Sequence, residues 1–327
     1  MSRGRSLAVA LGLLLSAFIS PPAWAQLDEA TLAKRKSSGF LGRFKSSYAQ
    51  VTTNMGTSTF HTGHASGDGY VSNEFLFYPR YRLADHQSVR LYWVLECEYT
   101  QPASPTGRRC DPSDIRLSYH HTKLYQDPWL GGRFSGYAGI FLPTSFASIN
   151  NNTIFNLRVS GAYMLRLLRN KLELSYSFGL QKYLPTSRRR SGVVSQADVS
   201  SSDGAMGSTG SGTGNNDNWL FVNGVHVGYA FTKRLSVSVD MLVYNYLRYE
   251  VEGLAKNPNA PVGKADWTWG VVEASYQPHK NIVVALGISS LQPALTADNK
   301  GLRFPFYDFI SPENNFTKWY LSGTFIY

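Results

Sequence analysis

Past residue 25 the 327-residue chain contains no run of 18 or more apolar residues, which excludes a membrane-spanning helix from that part. Cysteine is nearly absent, with only Cys97 and Cys110. Two cysteines without further ligands nearby are too few for a metal site, and in an oxidising compartment a pair flanking a loop is read as a disulfide. Such a bridge contributes on the order of 2–4 kcal/mol. The histidines carry little chemistry. His120 and His121 are adjacent in an alternating segment, so they point to opposite faces, and His61 and His64 stand in a glycine-rich stretch without carboxylate or cysteine neighbours. No Gly-x-Ser-x-Gly elbow and no His-Glu-x-x-His is present. The glycine-rich run at 204–214 lacks the following lysine and helix of a phosphate loop. No cofactor and no metal are expected.

What is present begins with an export signature. Arg3 and Arg5, an apolar run from Leu7 to Ala17, and Ala23-Trp24-Ala25 predict a signal peptide over 1–25. Its apolar run is too short for an anchor. Residues 26–42 show no strand pattern and read as a periplasmic lead-in. Formal charge is +10, or +8 without Arg3 and Arg5. In an exported chain that excess suits anionic lipid or saccharide; nucleic acid is not an expected partner.

Aromatics make up 14% of the chain, with 20 tyrosines, beside a slightly negative mean hydropathy. A wall apolar on one side and polar on the other averages to such values, with Tyr and Trp gathered at its interfaces. A soluble β-sandwich gives the same averages, so the segment pattern must decide. Alternation with period two is clear at 70–82, where Val71, Phe75, Phe77 and Tyr81 oppose Ser72, Glu74, Tyr78, Arg80 and Arg82. It is equally clear at 88–99, where Val89, Leu91, Trp93 and Leu95 oppose Arg90, Tyr92, Glu96 and Glu98. Further strands are predicted at 114–125, 133–142, 154–166, 171–184, 218–231, 235–248, 266–277, 282–292 and 316–327, with a weak one at 44–60. Short links at 83–87, 126–132, 167–170, 232–234 and 278–281 alternate with long ones at 61–68, 100–113, 143–153, 185–217, 249–265 and 293–315.

The last strand sets Trp319, Leu321, Phe325 and Tyr327 on one face against Lys318, Tyr320, Ser322 and Thr324. This resembles the C-terminal assembly signal of bacterial outer-membrane β-barrels, and the chain resembles Gram-negative porin-like barrels of about twelve strands. The resemblance implies an all-β fold, an antiparallel transmembrane β-barrel over 43–327. Its short turns would be periplasmic, its longer loops external, and its N-terminus periplasmic. Lipid, lipopolysaccharide and the barrel assembly machinery are the implied partners. An even strand count then requires the weak segment at 44–60, because a strand edge open to lipid is not viable. Residues 187–217, opening with Arg188-Arg189-Arg190 and continuing in Ser, Gly, Thr, Asn and Asp, are expected to form a flexible external loop.

The polar face defines the candidate site. If it is the lumen, Glu74, Arg80, Arg82, Arg90, Glu96, Glu98, Asp114, Arg116, Arg158, Arg166, Lys171, Glu173, Asp240, Glu273 and Lys318 point inward. These residues serve either as a self-neutralising interior network or as the charged wall of a narrow pore. Arg108, Arg109, Arg188, Arg189 and Arg190 would make the outer mouth basic. Two functions fit: passage or export of small hydrophilic solutes or oligosaccharides, or a non-conducting barrel anchoring an envelope complex for secretion, polysaccharide export or surface motility. An enzyme is not expected. An outer-membrane lipid hydrolase would need a lipid-facing serine beside a histidine; His121 faces the apolar side, Ser118 falls on the other, and Ser135 is left open.

Overall fold

The alternation that organises the sequence folds into one antiparallel sheet closed on itself. A computed structural model describes residues 41–56, 70–100, 109–188, 216–249, 263–295, 301–306 and 317–327. The signal peptide, nearly all of the lead-in and the body of the loop at 187–217 lie outside the described residues.

In chain order the strands are β1 (Tyr48–Gly56), β2 (Val71–Tyr78 continued by Arg80–Ala84), β3 (Gln87–Glu98) and β4 (Arg109–Pro112 continued by Ile115–Gln126). They are followed by β5 (Arg133–Leu142), β6 (Thr153–Leu167), β7 (Leu172–Pro185) and β8 (Asp217–Ala230). The last four are β9 (Leu235–Arg248), β10 (Lys264–His279), β11 (Ile282–Pro293) and β12 (Thr317–Ile326). Two strands are interrupted for local reasons. Proline has no N–H to donate, so the ladder of β2 skips Pro79, yet its register with β3 runs on from Phe77↔Trp93 to Arg80↔Arg90. β4 bulges at Ser113 and Asp114, where the register with β3 slips from Leu95↔Pro112 to Tyr92↔Arg116.

Closure depends on the faintest strand of the sequence. β1 pairs with β2 on one side and β12 on the other, so that Val51 faces Phe75 and Gly323. Its pattern is weak because small or polar residues, Ala49 and Thr53, share the outward phase with Val51 and Met55. With β1 in place every backbone edge is paired, as hydrocarbon demands. No helix among the described residues is long and apolar enough to cross a membrane. A short helix, Phe146–Asn150, sits in the long link after β5, where the Ser145 side chain accepts from the Ser148 N–H.

One long link folds back onto the outer wall. Residues 301–306 lie over β10, β11 and β12, close enough that a Cβ on Gly270 would stand 2.4 Å from the Pro305 carbonyl oxygen. The Gln292 amide donates to the Phe304 carbonyl, and the Thr317 hydroxyl to that of Phe306 at 2.8 Å. Thr268, Ser290, Gln292 and Thr317 occupy the outward phase but are buried under this strap. The strap turns Leu302 (80% exposed) and Phe304 outward in their place.

Candidate functional site on the inner face of the barrel

Side chains of the inward phase are mostly polar and buried. Arg80, Arg90, Glu96, Arg116, Arg158 and Glu273 are each no more than 7% exposed. Three chemically distinct zones divide this face.

The first is an arginine–tyrosine wall on β2 to β6. The Arg116 guanidinium lies 4.2 Å from the Tyr92 ring centroid, 5.6 Å from Phe141 and 6.0 Å from Tyr137. These are favourable cation–π placements in a desolvated site. Arg90 donates from Nη1 to the Tyr78 hydroxyl at 3.2 Å and from Nε to Ser88 Oγ at 3.1 Å. Tyr78 packs against Tyr48 with ring centroids 4.7 Å apart and planes tilted by 30°. Arg158 on β6 is 5% exposed, and its Nε and Nη2 have no hydrogen-bond partner. His120 stacks on Tyr137 at 4.7 Å and is hydrogen-bonded through Nε2 to Ser118 Oγ at 2.9 Å.

The second zone, on β6 to β12, is acidic and internally paired. His226 Nδ1 is 2.7 Å from Asp240 Oδ1, while its Nε2 stands 4.0 Å from Glu173 Oε1. Arg166 closes the group by donating from Nε to Glu173 Oε2 at 2.8 Å. Tyr320 donates to Glu273 Oε2 at 2.8 Å. Its ring fits because residue 287 is glycine: a Cβ there would meet the ring at 2.5 Å. Towards the long-link end this side becomes apolar, with Leu220, Val222, Leu242, Tyr246 and Trp267 forming a buried cluster.

The third zone bridges the closure seam. Lys318 donates to the Tyr70 hydroxyl at 2.9 Å, Tyr70 donates to Glu96, and Asn54 donates to Glu74 Oε1 at 2.7 Å. These contacts tie β1, β2, β3 and β12 together from the inside. Glu98 accepts from Thr100 Oγ1 at 3.5 Å at the rim.

Several sequence-predicted residues are placed otherwise. Lys171 is not on the wall; it is exposed in the β6–β7 turn, because the strand begins one residue later. Asp114 is buried in the β4 bulge and pins the short helix, accepting from the Ser145 N–H at 2.9 Å and the Ser148 hydroxyl at 2.5 Å. Arg82 is half-buried near the short-turn end of β2. Cys97 and Cys110 are bonded and sit directly opposite each other in the β3–β4 ladder, Cα atoms 4.0 Å apart. Of the basic mouth, Arg109 pairs with Asp111 at 2.8 Å and Arg188 is exposed; Arg108, Arg189 and Arg190 lie outside the described residues. Trp319, Leu321, Phe325 and Tyr327 all point outward and are about half exposed. Ser135 shares the inward phase with Ser118, so neither stands beside His121 on the outer face.

The tyrosines and the inner apolar cluster escaped the reading of charges alone. A signal exists for the cluster. Trp219-Leu220-Phe221-Val222 and Met241-Leu242-Val243-Tyr244 are apolar at consecutive positions, which one lipid-facing side cannot explain.

No protein-family model and no curated protein sequence matches the chain. Among solved structures it is similar to an outer membrane channel from Pseudomonas putida F1, with TM-score 0.53 and 12% identity over 89% of this chain and 100% of that one. It also aligns with the KdgM porin (TM-score 0.43, 6% identity, 86% and 99% covered) and with LpxR from Salmonella typhimurium (TM-score 0.35, 10% identity, 86% and 100% covered). Together with the closed ladder, the first likeness defines the class: a twelve-stranded antiparallel barrel with an outer-membrane fold.

Proposed function

We propose that this barrel is a narrow outer-membrane channel for small hydrophilic solutes, and that it favours anionic ones such as acidic oligosaccharides. The observation that carries this reading is Arg158, a guanidinium on the inner face with two nitrogens, Nε and Nη2, lacking a protein partner. An unpaired buried cation is costly unless something else supplies the negative charge. Arg90, held by hydroxyls instead of carboxylate, stands ready in the same way. The aromatic rings beside these arginines offer flat surfaces on which a sugar ring can slide while its carboxylate passes between guanidinium groups. The resemblance to an outer membrane channel supports the architecture that such passage needs. The difference in link lengths supports an orientation with the short turns and the N-terminus in the periplasm.

The test is single-channel recording of the purified protein in a planar bilayer. Stable steps with anion preference, falling about tenfold in Arg158→Met, a change of about 1.4 kcal/mol, are expected. Silence at all voltages would sink the channel. A second reading, a non-conducting barrel that anchors an envelope complex, draws on the near-complete burial of the inner wall. Silence together with stoichiometric co-purification of an envelope protein would favour it.

A further inference from the structure

The two rims treat their cations differently. At the long-link rim three described cations find acids within the chain, Arg109 with Asp111 at 2.8 Å, Arg248 with Asp217 at 3.5 Å and Lys264 with Asp266 at 2.9 Å, and Lys182 lies over the Trp219 and Tyr249 rings, while Arg188 is exposed. At the short-turn rim Lys123, Arg169, Lys171, Lys233, Arg234 and Lys280 are all exposed. None of these six forms an ion pair with a described residue. Only Asp85 is an exposed acid there among the described residues, since Asp127 is partly covered and engaged by the Trp129 N–H and the Tyr163 hydroxyl, both at 2.8 Å.

Large apolar side chains stand among these cations. Trp129 is 91% exposed, Leu130 64%, Leu168 63% and Phe231 53%. They occupy the same turns as the cations or adjoin them. The β6–β7 turn also holds Leu168, Arg169 and Asn170 at positive φ, 52°, 56° and 68°. That backbone region favours glycine, yet the turn displays a leucine and an arginine. Water hydrates the cations but leaves the bare tryptophan and its apolar neighbours without a favourable surrounding. A layer that is anionic at its surface and apolar just beneath gives both.

We propose that the short-turn rim is a binding girdle for anionic phospholipid headgroups, with lysine and arginine on the phosphates and Trp129, Leu130, Leu168 and Phe231 at the acyl boundary. An acidic protein partner would satisfy the charges but leave the interleaved apolar side chains without a reason. The girdle is independent of whether the barrel conducts. It sets the height and tilt of the barrel from below, and it accounts for a large part of the net positive charge.

The test uses the full protein, its fold checked by heat-modifiable mobility, and native mass spectrometry from micelles doped with phosphatidylglycerol or phosphatidylcholine. The wild type is expected to retain phosphatidylglycerol at least tenfold more than phosphatidylcholine, less so at high salt. The variant Lys171→Gln/Lys233→Gln/Arg234→Gln/Lys280→Gln should bring the two lipids within twofold. The long-rim control Arg109→Gln/Lys264→Gln should keep the preference. Equal retention of both lipids by the wild type, or a preference surviving in the four-site variant, would overturn the proposal. So would equal loss in the long-rim control. Binding of soluble polyglutamate without any phosphatidylglycerol preference would assign the rim to an acidic polymer and likewise overturn it.

Discussion

The two halves of the inner wall solve the problem of buried charge in opposite ways. On β2 to β6, Arg90 and Arg116 are embedded among tyrosine rings and hydroxyls, and Arg158 keeps two nitrogens, Nε and Nη2, without a hydrogen bond. On the other side, carboxylates meet histidine, tyrosine and arginine at 2.7–2.8 Å. Charge that is largely paired, with Glu173 Oε1 and His226 Nε2 left without a hydrogen bond at 4.0 Å from each other, holds strands together and offers little to a solute. Charge cushioned by aromatic faces stays available, at some expense in stability. The difference therefore separates a structural side of the lumen from a working side.

The comparison breaks or sharpens on six variants. The largest effect is expected for Asp240→Ala, which strips the partner from buried His226 and should cost about 3 kcal/mol. Arg158→Met should be neutral or stabilising by about 1 kcal/mol, because it removes an uncompensated buried cation. Urea midpoints of folding into micelles report both. If the arginine variant loses as much as the aspartate variant, the division of labour is wrong. Next, Cys97→Ser with Cys110→Ser should cost about 2–4 kcal/mol while leaving anion preference unchanged, since the bridge stiffens the strand pair from its outer face. A lost preference would mean that the arginine side depends on that clamp.

Gly287→Ala should cost about 1–3 kcal/mol by forcing the Tyr320 ring away from Glu273. Gly323→Ala, with no atom within 4 Å of the new Cβ, should stay within about 0.5 kcal/mol. Comparable losses would show that Gly287 matters through backbone freedom and not through room for the ring. The smallest effect lies outside the lumen, at a surface carboxylate. The Trp129 N–H and the Tyr163 hydroxyl hold the Asp127 carboxyl below its ordinary value. Its contribution is thus present above about pH 4 and is lost as pH falls through the lower folded value. Tyr163→Phe should be slightly less stable than wild type at neutral pH and indistinguishable at about pH 2. A difference that persists in acid would assign the loss to packing of the ring.

The strand layout was largely legible because a barrel wall imposes period two over its whole length, and link lengths supply the parity that β1 lacks on its own. Boundaries failed where backbone chemistry intervened without changing the pattern. Pro79 interrupts a ladder whose alternation continues, and the bulge at Ser113 and Asp114 carries β4 on through Cys110, so the bridge lies within the ladder. Within the site, Arg90, Arg116 and Arg158 share the buried phase of their strands, but phase says nothing about partners. Asp114 appears as one more charge in the sequence and proves to be the anchor of a helix 31 to 34 residues away. The pairing of His226 with Asp240 likewise depends on the β8–β9 register, which aligns them directly.

The strap at 301–306 bears on how the barrel comes together. Its bonds go to Gln292 and Thr317, the adjoining ends of two neighbouring strands, and its carbonyl packs on the strand before them. All of these partners lie close along the chain, so the strap can dock as soon as the last three strands meet, long before β12 finds β1. A three-stranded sheet clasped on its outer side would then reach the closing step as a preformed unit, with the polar residues of its lipid side already covered. On that route the slow event is the joining of the two ends of the chain, and β12 arrives at it with its register fixed.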